Sequence, residues 1–90
     1  MTTGQEKFFK TLSAFPWLAL YWDSKNNEVD IATLKAAMGA MSHGERILAS
    51  FFLSVWLGEN NGFDLVEAAA TLDEGNRALI AAWLQHPWWP

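Results

Sequence analysis

Residues 42–57, SHGERILASFFLSVWL, constrain the fold of this 90-residue chain more than any other stretch. Ser42 and Glu45 have the S-x-x-E spacing of a capping box, which begins a helix. After the first turn, apolar side chains cover most of the helical circumference, and the polar positions are confined to one narrow edge of Arg46 and two serines. Such a helix is buried by neighbours on several sides, yet it is too short and too polar at its start to span a bilayer. We therefore predict that residues 42–57 form the central helix of a small helical domain.

The composition can supply the core that such a helix needs. Hydrophobic residues make up 51% of the chain, and six of its residues are tryptophan. Ten acidic and six basic residues give a net charge of −4, and the bases never form a run, which argues against a nucleic-acid surface. The absence of cysteine excludes disulfides and thiolate metal sites, and the first residues do not resemble a secretory signal. We expect one cytoplasmic domain, residues 1–90, with no membrane association and with terminal tails at residues 1–3 and 86–90.

The N-terminal part of the chain predicts one helix and one ambiguous segment. Thr3 and Glu6 have capping-box spacing, and the apolar pattern behind them continues to Phe15. Pro16 interrupts this pattern and is well placed in the first turn of a new helix. Residues 17–22, WLALYW, therefore fit either one or two further helical turns, which Pro16 favours, or a short buried strand.

Three aspartates, Asp30, Asp64 and Asp73, each stand just before an apolar, helix-periodic stretch, as N-cap residues do. Glu67, three residues after Asp64, completes another capping-box spacing. The helices that they begin are predicted over residues 31–40, over residues 65–71 and from Asp73 to Pro87. Together with the central helix, these segments predict an all-α fold, a compact bundle of four to five short helices around residues 42–57.

An internal repeat relates two parts of the chain. An Asn-Asn loop, an Asp-capped helix, a Gly-containing turn and another helix follow residue 21, and the same order follows residue 55. The offset is 34 residues from Asn26 to Asn60 and 31 residues from Ser42 to Asp73. The ordered match favours two pseudo-repeated helix–loop–helix units; chance similarity in an Ala- and Leu-rich helical chain is the competing explanation.

This layout resembles that of a calcium-binding EF-hand pair over residues 17–85. The resemblance places Lys35 and Ala69 where the EF-hand loops carry their bidentate glutamates. A lysine repels the cation and an alanine cannot ligate it, so we carry over no ligand and expect no metal. The one strand pairing that the layout allows is a two-residue bridge between residues 29–31 and residues 63–65.

Residues that could support catalysis are scattered. His43 and His86 show no recognised zinc spacing. Ser42, His43 and Glu45 share one helical turn and therefore do not converge on a substrate. The sequence has neither a Gly-rich phosphate loop nor a nucleophile elbow. We expect no catalytic residues and no cofactor, so the chain is not predicted to be an enzyme.

The C-terminal end is unusual because Pro87 and Pro90 bracket a tryptophan pair. One interpretation is that the pair folds back and covers the core. The other is that it forms an exposed aromatic patch for a partner, since tryptophan is enriched among interface anchors. The candidate partner-binding residues are Trp83, His86, Trp88 and Trp89.

Two hypotheses of function follow. The first is a small non-catalytic protein–protein interaction module, an accessory or inhibitory subunit or a homodimer, which should expose a contiguous apolar patch. The second is a small-molecule-binding helical domain, which should have a Trp- and Phe-lined apolar pocket with a few convergent polar groups. The missing catalytic residues favour the first.

Overall fold

A computed structural model describes residues 2–90, which are mostly helical and contain six helices and one two-stranded sheet. The elements in chain order are α1 (Thr3–Leu12), α2 (Pro16–Ala19), β1 (Trp22–Asp23), β2 (Glu28–Val29), α3 (Ile31–Met38), α4 (His43–Leu57), α5 (Leu65–Thr71) and α6 (Glu74–Gln85). The radius of gyration is 12.3 Å, close to the ~12 Å expected of a compact domain of this length. The helical fold class predicted from the sequence is therefore confirmed, although six helices form instead of four to five.

Helix α4 begins with the predicted capping box. The Ser42 hydroxyl accepts a hydrogen bond from the Glu45 backbone N–H (3.2 Å), and the Glu45 carboxylate accepts one from the Ser42 N–H (2.8 Å). The helix ends at Gly58, whose φ of +70° is the left-handed conformation that a glycine adopts without strain. Eight of its fifteen residues are buried, so the capping box and the continuous apolar surface both do what the sequence indicated.

The apolar pattern of residues 42–57 predicts that Phe51, Phe52, Val55 and Trp56 are among the most buried residues of the chain, and the first three of these lie in the core. The fourth, Trp56, is only half-buried. Its ring packs against Phe8 of α1 at a centroid distance of 5.0 Å. The prediction for Trp56 was wrong because this side chain packs against the core from its edge and is only partly buried.

Helix α1 begins one residue earlier than predicted. The capping box is formed by Thr2 and Gln5, with the Gln5 N–H donating to the Thr2 hydroxyl (3.1 Å) and the Thr2 N–H donating to the Gln5 side chain (2.9 Å). Glutamine serves at this position as well as glutamate does, so Thr3 becomes the first helical residue and the pair of Thr3 and Glu6 does not cap. Of the predicted tail at residues 1–3, Met1 lies outside the described residues.

The ambiguous segment at residues 17–22 contains both structures that its sequence allowed. Pro16 begins α2, which is one turn long, and Trp22 then enters β1. The sixth helix is α2, which is separate from α1 because α1 ends at Leu12. A proline disfavours helical geometry at the residue before it, so the two helices cannot merge.

The strand pairing differs from the predicted bridge between residues 29–31 and residues 63–65. In residues 2–90 the paired strands are β1 and β2, antiparallel, with Trp22 opposite Val29. The Asp23 carboxylate accepts hydrogen bonds from the backbone N–H groups of Lys25 (3.0 Å) and Asn26 (3.3 Å), which closes the turn locally. Because this hairpin satisfies its own backbone groups, strand pairing here needs no partner in the second loop.

Candidate functional site

An apolar cleft lies between the end of α4, the following loop and α6. Its volume is about 330 Å³. The apolar and aromatic residues that form most of its wall are Phe51, Phe63, Ile80, Trp83, Leu84 and Trp89. Two of these, Trp83 and Trp89, belong to the partner-binding set predicted from the sequence.

An aromatic series holds the walls of the cleft in place. Phe51 contacts Phe63 and Trp83, each at a centroid distance of 5.7 Å, and Trp83 contacts Trp89 at 5.1 Å with the rings nearly perpendicular. The pairs Phe51–Trp83 and Trp83–Trp89 are edge-to-face, and such pairs contribute about 0.5–1.5 kcal/mol each beyond the area they bury, whereas Phe51 and Phe63 meet at a tilt of 59°. The series starts on the buried side of α4 and ends at Trp89, which is 56% exposed. The cleft therefore has a rigid floor and an open, aromatic rim.

The polar groups around the cleft are largely used by the loop itself. The Ser54 hydroxyl donates to the Ser50 carbonyl (2.6 Å) and accepts from the Asn61 N–H (2.8 Å). The Asn60 side chain accepts from the Phe63 N–H (3.2 Å). These bonds hold the loop against α4 and leave the cleft predominantly apolar, with the carboxylate of Glu59 on its rim.

A second, smaller depression of about 110 Å³ adjoins the cleft between α5 and α6. Ile80 and Leu84, one helical turn apart on α6, line both cavities. Leu84 is 52% exposed, and Leu65 on the far side of the smaller depression is 55% exposed. Leu65, Leu84 and Trp89 therefore rim one continuous apolar surface with two depressions separated by the Ile80–Leu84 ridge.

The remaining predicted site residues, His86 and Trp88, lie on the other side of the C-terminal segment. They border a separate depression with Lys7 and Thr11 of α1. Trp88 is half-buried, and its backbone carbonyl accepts a hydrogen bond from the Trp83 indole N–H (2.9 Å). The structure therefore separates the four predicted residues. Trp89 lines the cleft, His86 and Trp88 line the separate depression, and Trp83 lines both; Trp88 also covers the core.

The C-terminal segment is seated against the start of α1, and a glycine makes this possible. A Cβ atom at Gly4 would collide with the backbone carbonyl of Trp89. The ring of Trp88 packs edge-on against Phe8 at a centroid distance of 6.4 Å. The wall of the cleft that carries Trp89 therefore depends on contacts with α1, the most distant helix in the sequence.

One further polar cluster lies at the start of α4. His43 contacts the Glu67 carboxylate of α5, and both side chains are roughly half exposed. Glu67 therefore does not complete the capping box predicted with Asp64, although the Asp64 carboxylate still caps α5 by accepting from the Glu67 N–H (3.0 Å). Across residues 2–90, the structure contains no group of three or more His, Cys, Asp or Glu residues able to hold a metal ion.

The sequence patterns did not identify three residues that line the cleft. These are Phe51 of α4, Phe63 of the following loop and Leu84 of α6. Phe51 is buried in the core, and Phe63 is partly buried against it. Leu84 carried a usable signal: α6 has apolar residues in adjacent pairs, Leu79–Ile80 and Trp83–Leu84, and a pair spans a wider face than one neighbouring helix covers.

Comparison with known proteins gives no assignment: no protein-family model, curated protein or solved structure matches this chain. Of the helices in the described part of the chain, none combines the length and apolarity needed to cross a bilayer.

Proposed function

We propose that this chain is a non-catalytic protein–protein interaction module that binds another protein through the apolar surface of α6. The observation that carries the proposal is that Leu65, Leu84 and Trp89, each more than half exposed, border adjoining apolar depressions. Large side chains exposed singly are common on monomers, but a contiguous set around a depression is typical of a binding surface.

The energetic character of the surface supports the same proposal. Interface energy is concentrated in a few aromatic anchors surrounded by a rim that excludes water. Trp83 and Trp89 meet at the cleft wall, and the Trp83 indole N–H is already hydrogen-bonded within the chain. A partner that covers this wall buries aromatic area without leaving that donor unsatisfied. The module acts as an accessory or inhibitory subunit located in the cytoplasm.

A small-molecule-binding domain is the second candidate, and the cleft favours it. Its volume of about 330 Å³ lies within the ~300–1,000 Å³ range of ligand pockets. Phe and Trp line it, as that hypothesis requires. A specific ligand also needs convergent polar groups, however, and the Ser54 and Asn60 side chains that could serve are engaged with the loop backbone. Mass spectrometry of the gently desalted protein from its native host distinguishes the candidates, since a resident ligand would add its mass.

The pseudo-repeat belongs to this proposal as an account of how the surface arose. Asp30 and Asp64 cap α3 and α5 at matching repeat positions, and Ser42 and Asp73 cap α4 and α6. The last helix of the first unit, α4, buries eight residues, whereas the last helix of the second unit, α6, buries one. The EF-hand-like layout stays a prediction.

The test places a photo-crosslinking amino acid at Leu84 in the chain expressed in its native host. We expect one dominant protein adduct, which is lost when Trp89→Ala is added. The matched control carries the same group at Leu20, which is 67% exposed and lies outside the cleft. Equal adducts at both positions, or adducts at neither, would contradict the proposal.

A further inference from the structure

The charge of this chain is distributed unevenly along its length. Residues 1–57 contain five acids and five bases, a formal net charge of zero. Residues 58–90 contain five acids and one base, a net charge of −4, which is the net charge of the whole chain. The acidic residues of this part are Glu59, Asp64, Glu67, Asp73 and Glu74.

This acidic third is also the part that forms the apolar surface. Glu59 lines the cleft, while Asp64 immediately precedes the exposed Leu65 and Asp73 caps α6. The single base, Arg77, lines the smaller depression, where its guanidinium donates to the Leu72 backbone carbonyl (2.9 Å). An apolar surface in a segment with a net charge of −4 favours partners of opposite charge, because like charges across an interface are repelled and opposite charges speed encounter.

The shape of the surface specifies the secondary structure of the partner. The two depressions share two residues of α6 that lie one turn apart, the buried Ile80 and the half-exposed Leu84, and Leu84 forms the ridge between them. Side chains at i and i+3 or i+4 of a second helix project from the same face at a spacing of about 5–6 Å. A helix laid across the ridge can therefore place one apolar side chain in each depression, as helices do when ridges pack into grooves.

From this combination, we infer that the partner segment is a basic amphipathic helix of another protein. Its apolar stripe occupies the two depressions across Leu84, and its flanking Lys or Arg residues face the acids of residues 58–90. The inference rests on the proposed function and names the partner's chemistry. A second copy of this chain is the poorer occupant, since it would bring the same five acids to the contact.

The test is a selection from a phage-displayed library of helical peptides about 14 residues long, which is about four turns. The intact protein is the bait. We expect the enriched peptides to carry apolar residues one turn apart and an excess of Lys and Arg. The best peptide is then synthesised together with a twin in which each Lys or Arg is replaced by Glu. We expect the twin to bind at least about tenfold more weakly, which corresponds to ~1.4 kcal/mol, and we expect added salt to weaken the basic peptide.

Two variants locate the contact. Leu84→Asp should abolish binding, whereas Leu20→Asp, at an exposed site outside the cleft, should leave it unchanged; amide spectra verify that both variants are folded. Enrichment of acidic or neutral peptides, absence of enrichment, or binding that survives Leu84→Asp would each overturn the inference. Self-association that is abolished by Leu84→Asp would also overturn it, by assigning the surface to a second copy.

The crosslinking experiment distinguishes failure of the basic-helix inference from failure of the proposed interaction function. A protein adduct at Leu84 combined with failure of the basic peptides overturns only the choice of a basic helix. Absence of both the adduct and peptide binding overturns the proposed function as well.

Discussion

Helices α4 and α6 are built from similar sequences and end up in opposite environments. Each begins with a side-chain cap, at Ser42 and at Asp73, and each is more than half apolar. Yet α4 buries eight of its fifteen residues, whereas α6 buries only Ile80 of its twelve. The difference lies in the neighbours, since α4 is surrounded by the other helices while one face of α6 is left open. Apolar content alone therefore does not decide burial in a domain of this size.

The largest expected effect is the difference in stability between a variant of a core residue of α4 and a variant of an exposed residue of α6. Phe52 is fully buried, so Phe52→Ala should lower the free energy of unfolding by about 3–5 kcal/mol. Leu84→Ala removes a half-exposed side chain and should stay within about 0.5 kcal/mol of the parent. Urea denaturation measures both. If the two variants lose similar stability, α6 belongs to the core as much as α4 does.

Removal of the C-terminal segment tests how much of α6 depends on it. A chain truncated after Gln85 loses the half-buried Trp88 and the cleft wall at Trp89. We expect a loss of roughly 1–2 kcal/mol, about half of what full burial of a large side chain contributes, with the helices retained. Circular dichroism and thermal unfolding measure these quantities. A truncated chain that stays folded and still binds every partner would show that the segment is no part of the surface.

Two glycine substitutions separate the effect of helix propensity on stability from the effect of the contact between Gly4 and the C-terminal segment. A Cβ atom at Gly75 in α6 would make only an ordinary van der Waals contact, at 3.7 Å from the Asp73 carboxylate, so Gly75→Ala should stabilise the fold by about 0.5–1 kcal/mol. Gly4→Ala gains the same propensity in α1 but collides with the Trp89 carbonyl, and should therefore release the segment. Hydrogen–deuterium exchange at residues 86–90 reports the release. Equal stabilisation by both substitutions would show that the close approach at Gly4 is dispensable.

The smallest expected effect is a loss of stability at acid pH, and it should arise from Asp23 and Asp30 and not from α6. Hydrogen bonds from Thr33 lower the pKa of Asp30 below its usual 3.8, and bonds from Asn26 lower that of Asp23. A lowered pKa contributes stability that is present above pH 3.8 and is lost as the pH falls through the folded-state pKa. Asp30→Asn keeps a capping side chain without a titrating charge and should remove part of this acid sensitivity. Unfolding curves across this pH range would contradict the assignment if the variant and the parent lose stability in parallel.

The sequence predicted those parts of the fold that depend on neighbours three or four residues apart. The caps at Ser42, Asp30, Asp64 and Asp73 all form, and α5 has the predicted bounds. The hairpin was missed although its signal is local, since the polar turn after Asp23 was read as a loop before a helix. The aromatic C-terminal end was recognised as unusual, but its division into a covering Trp88 and an exposed Trp89 was not predictable. That division depends on contact with Gly4, 85 residues away, and no local pattern encodes such a pairing.

The perpendicular contact between Trp83 and Trp89 gives the molecule an optical property. Indoles 5.1 Å apart are close enough for their excited states to couple, so we expect the pair to contribute a circular-dichroism signal that neither ring gives alone. Movement of Trp89 away from α6 would erase that signal while the helical bands persist. The chain thus carries its own unlabelled reporter of whether the wall of the cleft is in place.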